Sequence, residues 1–187
     1  YKEKSAKDGQ FTIGIVGRVV ETKGLNDLIA ILRQLATEAQ DVVLITFFGN
    51  FDQSSKWYIN FKTELDVISE FKYRFDGFKE SQSEIYPACN LIIHLNKVEA
   101  LGRIIFETID YETPFLCYDA GGTGELAKLL GFSENTIAPG PNSAYSFKTK
   151  ILEVMNHNAY NDFERAKKEI SQSFNLDNYA TKIEKHL

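Results

Sequence analysis

Residues 11 to 39 read FTIGIVGRVVETKGLNDLIAILRQLATEA. The apolar run FTIGIV breaks at Gly17, a polar loop follows to Gly24, and then Leu25, Leu28, Ile29, Leu32 and Leu35 recur at helical spacing. This is the pattern of a strand, a loop and an amphipathic helix. A strand without alternation between apolar and polar residues is covered on both faces, which is the situation of a parallel sheet clad in helices.

The unit repeats outward along the chain. VVLITFF (42–48) ends at Gly49, and residues 55–71 carry Trp57, Ile59, Phe61, Leu65, Ile68 and Phe71 among charged residues, a second strand and helix. A short KYRF strand runs into Asp76 and Gly77, a brief helix is predicted near 82–88, LIIHL (91–95) is a further strand, and a helix runs from about Gly102 to Tyr111. PFLCY (114–118) precedes a Gly-Gly loop, a helix over 123–130, a weak strand near 135–138, and helices from 142 to the end. The expected fold is α/β: a Rossmann-like, doubly wound parallel sheet with helices on both faces. No linker divides the 187 residues. The chain reads as a single domain, with a leader at 1–10, the core at 11–140 and C-terminal helices at 141–187.

Composition narrows the function. Hydrophobic residues make up 43% and charged residues 25%, so the chain is neither disordered nor fibrous. Twenty-six acidic against 21 basic side chains leave a net charge of -5, which offers nucleic acid and anionic membranes no global attraction. Any anion site must be local. Cys89 and Cys117, the only two cysteines, lie in apolar stretches without metal-ligand spacing and read as buried free thiols. With no apolar stretch long enough to span a bilayer and no signal-like start, the expected compartment is cytoplasmic.

In a doubly wound sheet, ligands bind beyond the carboxyl ends of the strands. The first such loop, GRVVETKG (17–24), offers Arg18 and Lys23 beside a helix start, a reasonable cradle for a diphosphate. Taken alone, these two side chains read more readily as solvated surface cations. It contains neither G-x-G-x-x-G nor the P-loop pattern. The loop after LIIHL carries Glu99, with Glu107 eight residues on inside the next helix. One loop carboxylate and one helix carboxylate at a single strand end suit the hydroxyls of a sugar. Exposed helix and loop faces are the alternative. Gly102 lets the first amides of that helix approach a phosphate, and Arg103 adds a cation. Asp and His neighbours that would complete a metal site are lacking. FDGF (75–78) and DAGGTGE (119–125) are glycine turns after strands, each of which reads also as an ordinary turn. His94 sits in an apolar strand and reads as a core or strand-end histidine; His157 and His186 fall in the tail.

In order and spacing, these loops resemble the carboxyl-terminal, donor-binding domain of the retaining GT-B glycosyltransferases with an E-x7-E motif (glycosyl transferases group 1). IGIVGRVVETKG is similar to the family's strand followed by G-R and K-G, FDGF to its F-x-G turn, SEIYPACNLIIHL to its tyrosine-bearing short helix and next strand, and EALGRIIFE to its E-x-F-G-x-x-x-x-E core. Pro114 to Glu125 is similar to its closing proline and GG-x-x-E. The likeness runs from about residue 11 to 130, and LDNYATKIEKHL (176–187) is similar to the family's closing helix. This chain has Leu95 and Asn96 where the family commonly has proline and serine, Leu101 for an aromatic, and Glu112 for a glycine.

The resemblance implies a nucleoside diphosphate sugar as donor substrate, UDP- or GDP-linked, with no cofactor and no essential metal. Arg18 and Lys23 would bind the diphosphate and stabilise the leaving nucleotide, Glu107 the ribose, and Glu99 the transferred sugar. The amides of Ala100, Leu101 and Gly102 would lie beside that sugar, with Arg103 nearby, and Gly77, Phe78 and Lys79 near the base. It also implies that an amino-terminal domain, outside this chain, supplies the site for a glycan or lipid-linked acceptor. This chain alone would then bind donor without completing transfer. The expected setting is bacterial surface polysaccharide synthesis (lipopolysaccharide or capsule), with the full-length protein cytoplasmic or peripheral at the inner face of the cell membrane. A non-catalytic nucleotide-sugar sensor or scaffold is the main alternative. A sugar-nucleotide epimerase is disfavoured because no acid/base histidine constellation is present.

Overall fold

A computed structural model describes residues 10–39, 43–68, 71–156 and 162–173. The elements in chain order are β1 (Phe11–Val16), α1 (Leu25–Ala39), β2 (Val43–Phe48), α2 (Lys56–Val67), β3 (Lys72–Gly77), β4 (Leu91–His94), α3 (Arg103–Asp110), β5 (Phe115–Tyr118), α4 (Gly121–Leu129), β6 (Thr136–Ile137), α5 (Ser143–Met155) and α6 (Phe163–Ser173). The brief helix expected near 82–88 is two 3-10 turns, Gln82–Glu84 and Tyr86–Ala88; Pro87 has no amide hydrogen to continue a helix. The closing segment LDNYATKIEKHL, His157, His186 and residues 1–9 of the leader lie outside the described residues.

The six strands are parallel throughout and lie in the order β3-β2-β1-β4-β5-β6. From β1 the chain winds outward to β3, then returns to place β4 on the other side of β1, with Ile13 opposite Leu91. The switch point between β1 and β4 is where two outgoing loops diverge and leave a crevice.

Two cores confirm the double winding. One face of the sheet, with Ile13, Ile45, Leu91, Ile93 and Leu116, packs against α1, α2 and α5. The other, with Ile92, Phe115 and Cys117, packs against α3, α4 and α6. Alternate residues of β4 thus enter opposite cores, which is why that strand reads as apolar without interruption. Along α1 the stripe of Leu25, Leu28, Ile29, Leu32 and Leu35 is buried. Each such side chain contributes about 2 kcal/mol by leaving water. Cys89 and Cys117 are buried free thiols, as expected.

Two details differ from the sequence pattern. Ile59 of α2 is half exposed although its neighbours Tyr58 and Phe61 are buried, because α2 presents only one stripe to the sheet. Phe71 is buried beyond the end of α2 rather than on it. Glu112, at the position where a glycine was the expectation, does adopt a left-handed backbone, with φ 50.

Candidate donor-binding site

The loops leaving β1, β2, β3, β4 and β5 meet in a row at the carboxyl edge of the sheet. The Gly49 amide donates to the Gly77 carbonyl at 2.8 Å, and the Gly17 amide to that of Phe48 at 2.8 Å, so the turns after β3, β2 and β1 are laced together. On the other side of the switch point, the Gly122 amide donates to the Glu99 carbonyl at 2.7 Å, fastening the loop after β4 to the start of α4.

Gly24 closes the crevice. Its φ is +74, and a Cβ there would lie 2.1 Å from the Leu95 carbonyl oxygen. Only glycine allows the start of α1 to touch the end of β4. This contact sets Lys23 against the loop that follows β4. Lys23 Nζ lies 3.1 Å from Glu99 Oε2, a pair of side chains 76 residues apart in sequence and about 30% exposed. Asn96 Nδ2 donates to the same oxygen at 2.7 Å. Burial pushes the Glu99 carboxyl up, but the hydrogen bonds from Lys23 and Asn96 more than offset this and hold it below the ordinary value.

The same loop is braced from below. Lys97 pairs with Asp27 of α1 at 2.7 Å and sits over the Tyr118 ring, 4.6 Å from its centroid. The Tyr118 hydroxyl donates to that Asp27 at 2.9 Å. The Glu99 loop is therefore anchored at Lys97, at the Glu99 carbonyl and at the Glu99 carboxylate.

Glu107 projects from α3 and accepts a hydrogen bond from the hydroxyl of Tyr86, which is fully buried. Burial and the neighbouring carboxylate both raise the Tyr86 phenol well above its usual range, so it stays a neutral donor. Gly102 stands at the start of α3 against Thr123, where a Cβ would come within 2.6 Å of the Thr123 Cα. Small size is what lets α3 and α4 begin side by side.

Arg18 and Lys79 stand on these carboxyl-edge loops and Arg103 is the first residue of α3, and among the described residues none of the three has an ion pair. Phe78 and Leu101 are exposed there, at 67% and 54%. Ala100 lies at the surface between the loops after β4 and β5, where a Cβ on Gly122 would strike its carbonyl. Of the residues singled out from sequence, Lys23 and Glu99 touch directly. Arg18, Gly77, Phe78, Lys79, Arg103 and Glu107 make no hydrogen bond or ion pair with that pair among the described residues.

His94 ends β4, close enough to Glu99 and Lys23 to feel both charges. It is buried, and its Nε2 has no hydrogen-bond partner. Desolvation dominates and lowers the imidazole to about 4, against the pull of Glu99, so the ring is neutral near pH 7. Sequence reasoning left three contributors aside. Asn96 could have been flagged by its place three residues before Glu99, and Tyr86 by its place in the turn before β4. Nothing local marks Asp27. Among the described residues no three His, Cys, Asp or Glu side chains form a metal-holding group.

A profile of the family described as glycosyl transferases group 1 matches residues 1–172. The chain belongs to that family. No curated protein matches it in sequence. Among solved structures it is similar to Anabaena HepE in complex with UDP and glucose, at 20% identity and a TM-score of 0.73, over 95% of this chain and 48% of that one. It is similar also to S. aureus TarM in complex with fondaparinux, alpha-GlcNAc-glycerol and UDP, at 15% identity and 0.73, over 93% of this chain and 34% of that one. The C-terminal domain of a group 1 glycosyl transferase, LpcC from Francisella tularensis, matches at 16% identity and 0.71, over 93% of each chain. These likenesses establish the GT-B Rossmann-like fold. The chain spans about half or less of HepE and TarM, and nearly all of the isolated LpcC domain.

Proposed function

We propose that this chain is the donor-binding, carboxyl-terminal domain of a retaining glycosyltransferase that moves a sugar from a nucleoside diphosphate to a glycan or lipid-linked acceptor. The observation that carries the reading is the Lys23–Glu99 pair across the switch point, which joins a cation suited to phosphate with a carboxylate suited to sugar hydroxyls.

In this reading Arg18 and Lys23 hold the diphosphate, with Arg103 beside the start of α3. Their charge offsets the negative charge that grows on the departing nucleotide as the glycosidic bond breaks. The amides of Ala100, Leu101 and Gly102 lie next to the transferred sugar, whose hydroxyls Glu99 accepts. Glu107, steadied by Tyr86, accepts the ribose hydroxyls, and Gly77, Phe78 and Lys79 border the base. Arg18 and Arg103, two cations without ion pairs among the described residues, favour an anionic ligand and supply charge that a divalent ion would otherwise bring.

UDP in the HepE and TarM complexes favours uridine as the base, with a GDP-sugar next. WaaG, a structural neighbour at 20% identity, is a glycosyltransferase involved in lipopolysaccharide biosynthesis, which supports a role in bacterial surface glycans. Among the described residues no helix is long and apolar enough to cross a membrane. We place the protein in the cytoplasm, with the acceptor site on a further domain that also governs any contact with the membrane face.

Calorimetric titration with UDP, GDP, ADP and dTDP, with and without magnesium, tests the reading. Millimolar or tighter binding of one nucleotide, indifferent to magnesium, is expected; no binding to any of the four counts against it.

A further inference from the structure

Asn96 is 7% exposed and both ends of its amide are engaged. Its Oδ1 accepts the Val98 amide at 3.2 Å, which fixes the turn, and its Nδ2 donates to Glu99 Oε2 at 2.7 Å. A backbone N–H on one side and a carboxylate on the other leave only one orientation for the amide. Lys23 Nζ, at 3.1 Å, reaches the same Oε2. Both described donors therefore converge on one carboxylate oxygen, and Oε1 has no described partner.

We propose that Asn96 is a positioning residue: it pins Oε2 of Glu99 so that Oε1 is presented to a hydroxyl of the donor sugar. The proposal rests on the donor-binding reading above and adds a division of labour to it. Lys23 is a flexible point charge that a diphosphate would draw toward itself. A carboxylate held by Lys23 alone would lose its orientation when the nucleotide arrives. Asn96 is neutral, short and locked into the backbone turn, so its grip on Glu99 persists in the loaded site.

Asn96→Asp is the sharp test, because the isosteric carboxylate keeps the bond from the Val98 amide while replacing the donor facing Glu99 with a like charge. In the 187-residue chain, calorimetry would compare UDP with UDP-glucose and UDP-N-acetylglucosamine, and carbon-detected NMR would follow the Glu99 carboxyl through its titration without ligand. The extra affinity contributed by the sugar is expected to fall about tenfold, the effect of one charge-assisted hydrogen bond. In Asn96→Ala, which places no new charge beside Lys23, UDP affinity is expected to stay within about twofold of the parent. The Glu99 titration midpoint is expected to rise. Asn96→Ala, which adds no charge, should move both readings in the same direction.

An unchanged ratio of sugar-nucleotide to UDP affinity, or an unmoved Glu99 midpoint, overturns the proposal. So does a parent that binds both sugar nucleotides no tighter than UDP. A parent that binds no nucleotide at all instead sinks the donor-binding reading, and the ligand-free titration still reports whether Asn96 holds Glu99.

Discussion

Lys23 Nζ and Glu99 Oε2 meet at 3.1 Å although they belong to loops after different strands, one on each side of the sheet's switch point. The contact joins the charge of the first loop to the carboxylate of the second, and it sets apart the two cations of the first loop, Lys23 being paired and Arg18 having no ion pair among the described residues.

Arg18→Ala and Lys23→Ala should each weaken nucleoside diphosphate binding by about 1 to 3 kcal/mol, as for a lost charge-assisted hydrogen bond. They should differ in one respect. Arg18 has no described ion pair, so its removal lowers affinity for UDP and for a UDP-sugar equally; Lys23 also steadies Glu99, so its removal costs the sugar nucleotide more. Parallel calorimetric titrations of the two variants distinguish these patterns.

Tyr86→Phe removes the only described hydrogen bond to the Glu107 carboxylate. We expect about 1 to 2 kcal/mol of lost stability in urea denaturation. Glu107→Ala should blunt the preference for a nucleoside diphosphate over pyrophosphate, and Tyr86→Phe should do so more weakly, which competition titrations would read.

Gly24 and Gly77 have nearly the same backbone, φ +74 and +71, but different surroundings. At Gly77 nothing lies within 4 Å of an added Cβ, so Gly77→Ala should cost only the left-handed strain, about 1 kcal/mol. Gly24→Ala drives a Cβ to 2.1 Å from the Leu95 carbonyl oxygen and should cost about 3 kcal/mol or more. Thermal melts showing equal losses would mean that the α1–β4 contact is not as close as the structure has it.

His94 makes stability depend on pH. Its folded value, about 4, lies below its ordinary 6.5, so the unfolded chain takes up the proton first. Stability contributed by the neutral ring is fully present above about 6.5 and is lost as pH falls toward 4, by about 3 kcal/mol in all. His94→Leu should abolish that part of the acid slope and, by removing a buried nitrogen without a partner, raise stability near pH 7. Denaturation midpoints from pH 7.5 to 4 for both proteins would show it.

Cys117 is buried and its thiol is pushed up to about 12 by desolvation, with Asp119 adding to it. Both cysteines should resist a thiol reagent at pH 8 and react in urea with the kinetics of unfolding. Rapid labelling of either in native buffer would contradict the burial.

The sequence by itself determined the parallel sheet, because LIIHL and FTIGIV carry apolar side chains on both faces instead of alternating with polar ones, and only a strand covered on both faces tolerates that. It also determined where the chain must turn at Gly17, Gly24 and Gly77, since those positions need a left-handed backbone that other residues rarely adopt. The tertiary structure alone decided which turns become neighbours. Returning β4 to the side of β1 is what puts Lys23 on Glu99, and that choice depends on the packing of two cores rather than on any local spacing. The contributions of Tyr86 and Asp27 were illegible for the same reason, whereas Asn96, three residues before Glu99, lay within reach of a local reading. A hydrogen bond between side chains tens of residues apart leaves no periodicity to read, whereas the strands and helices that bring them together do.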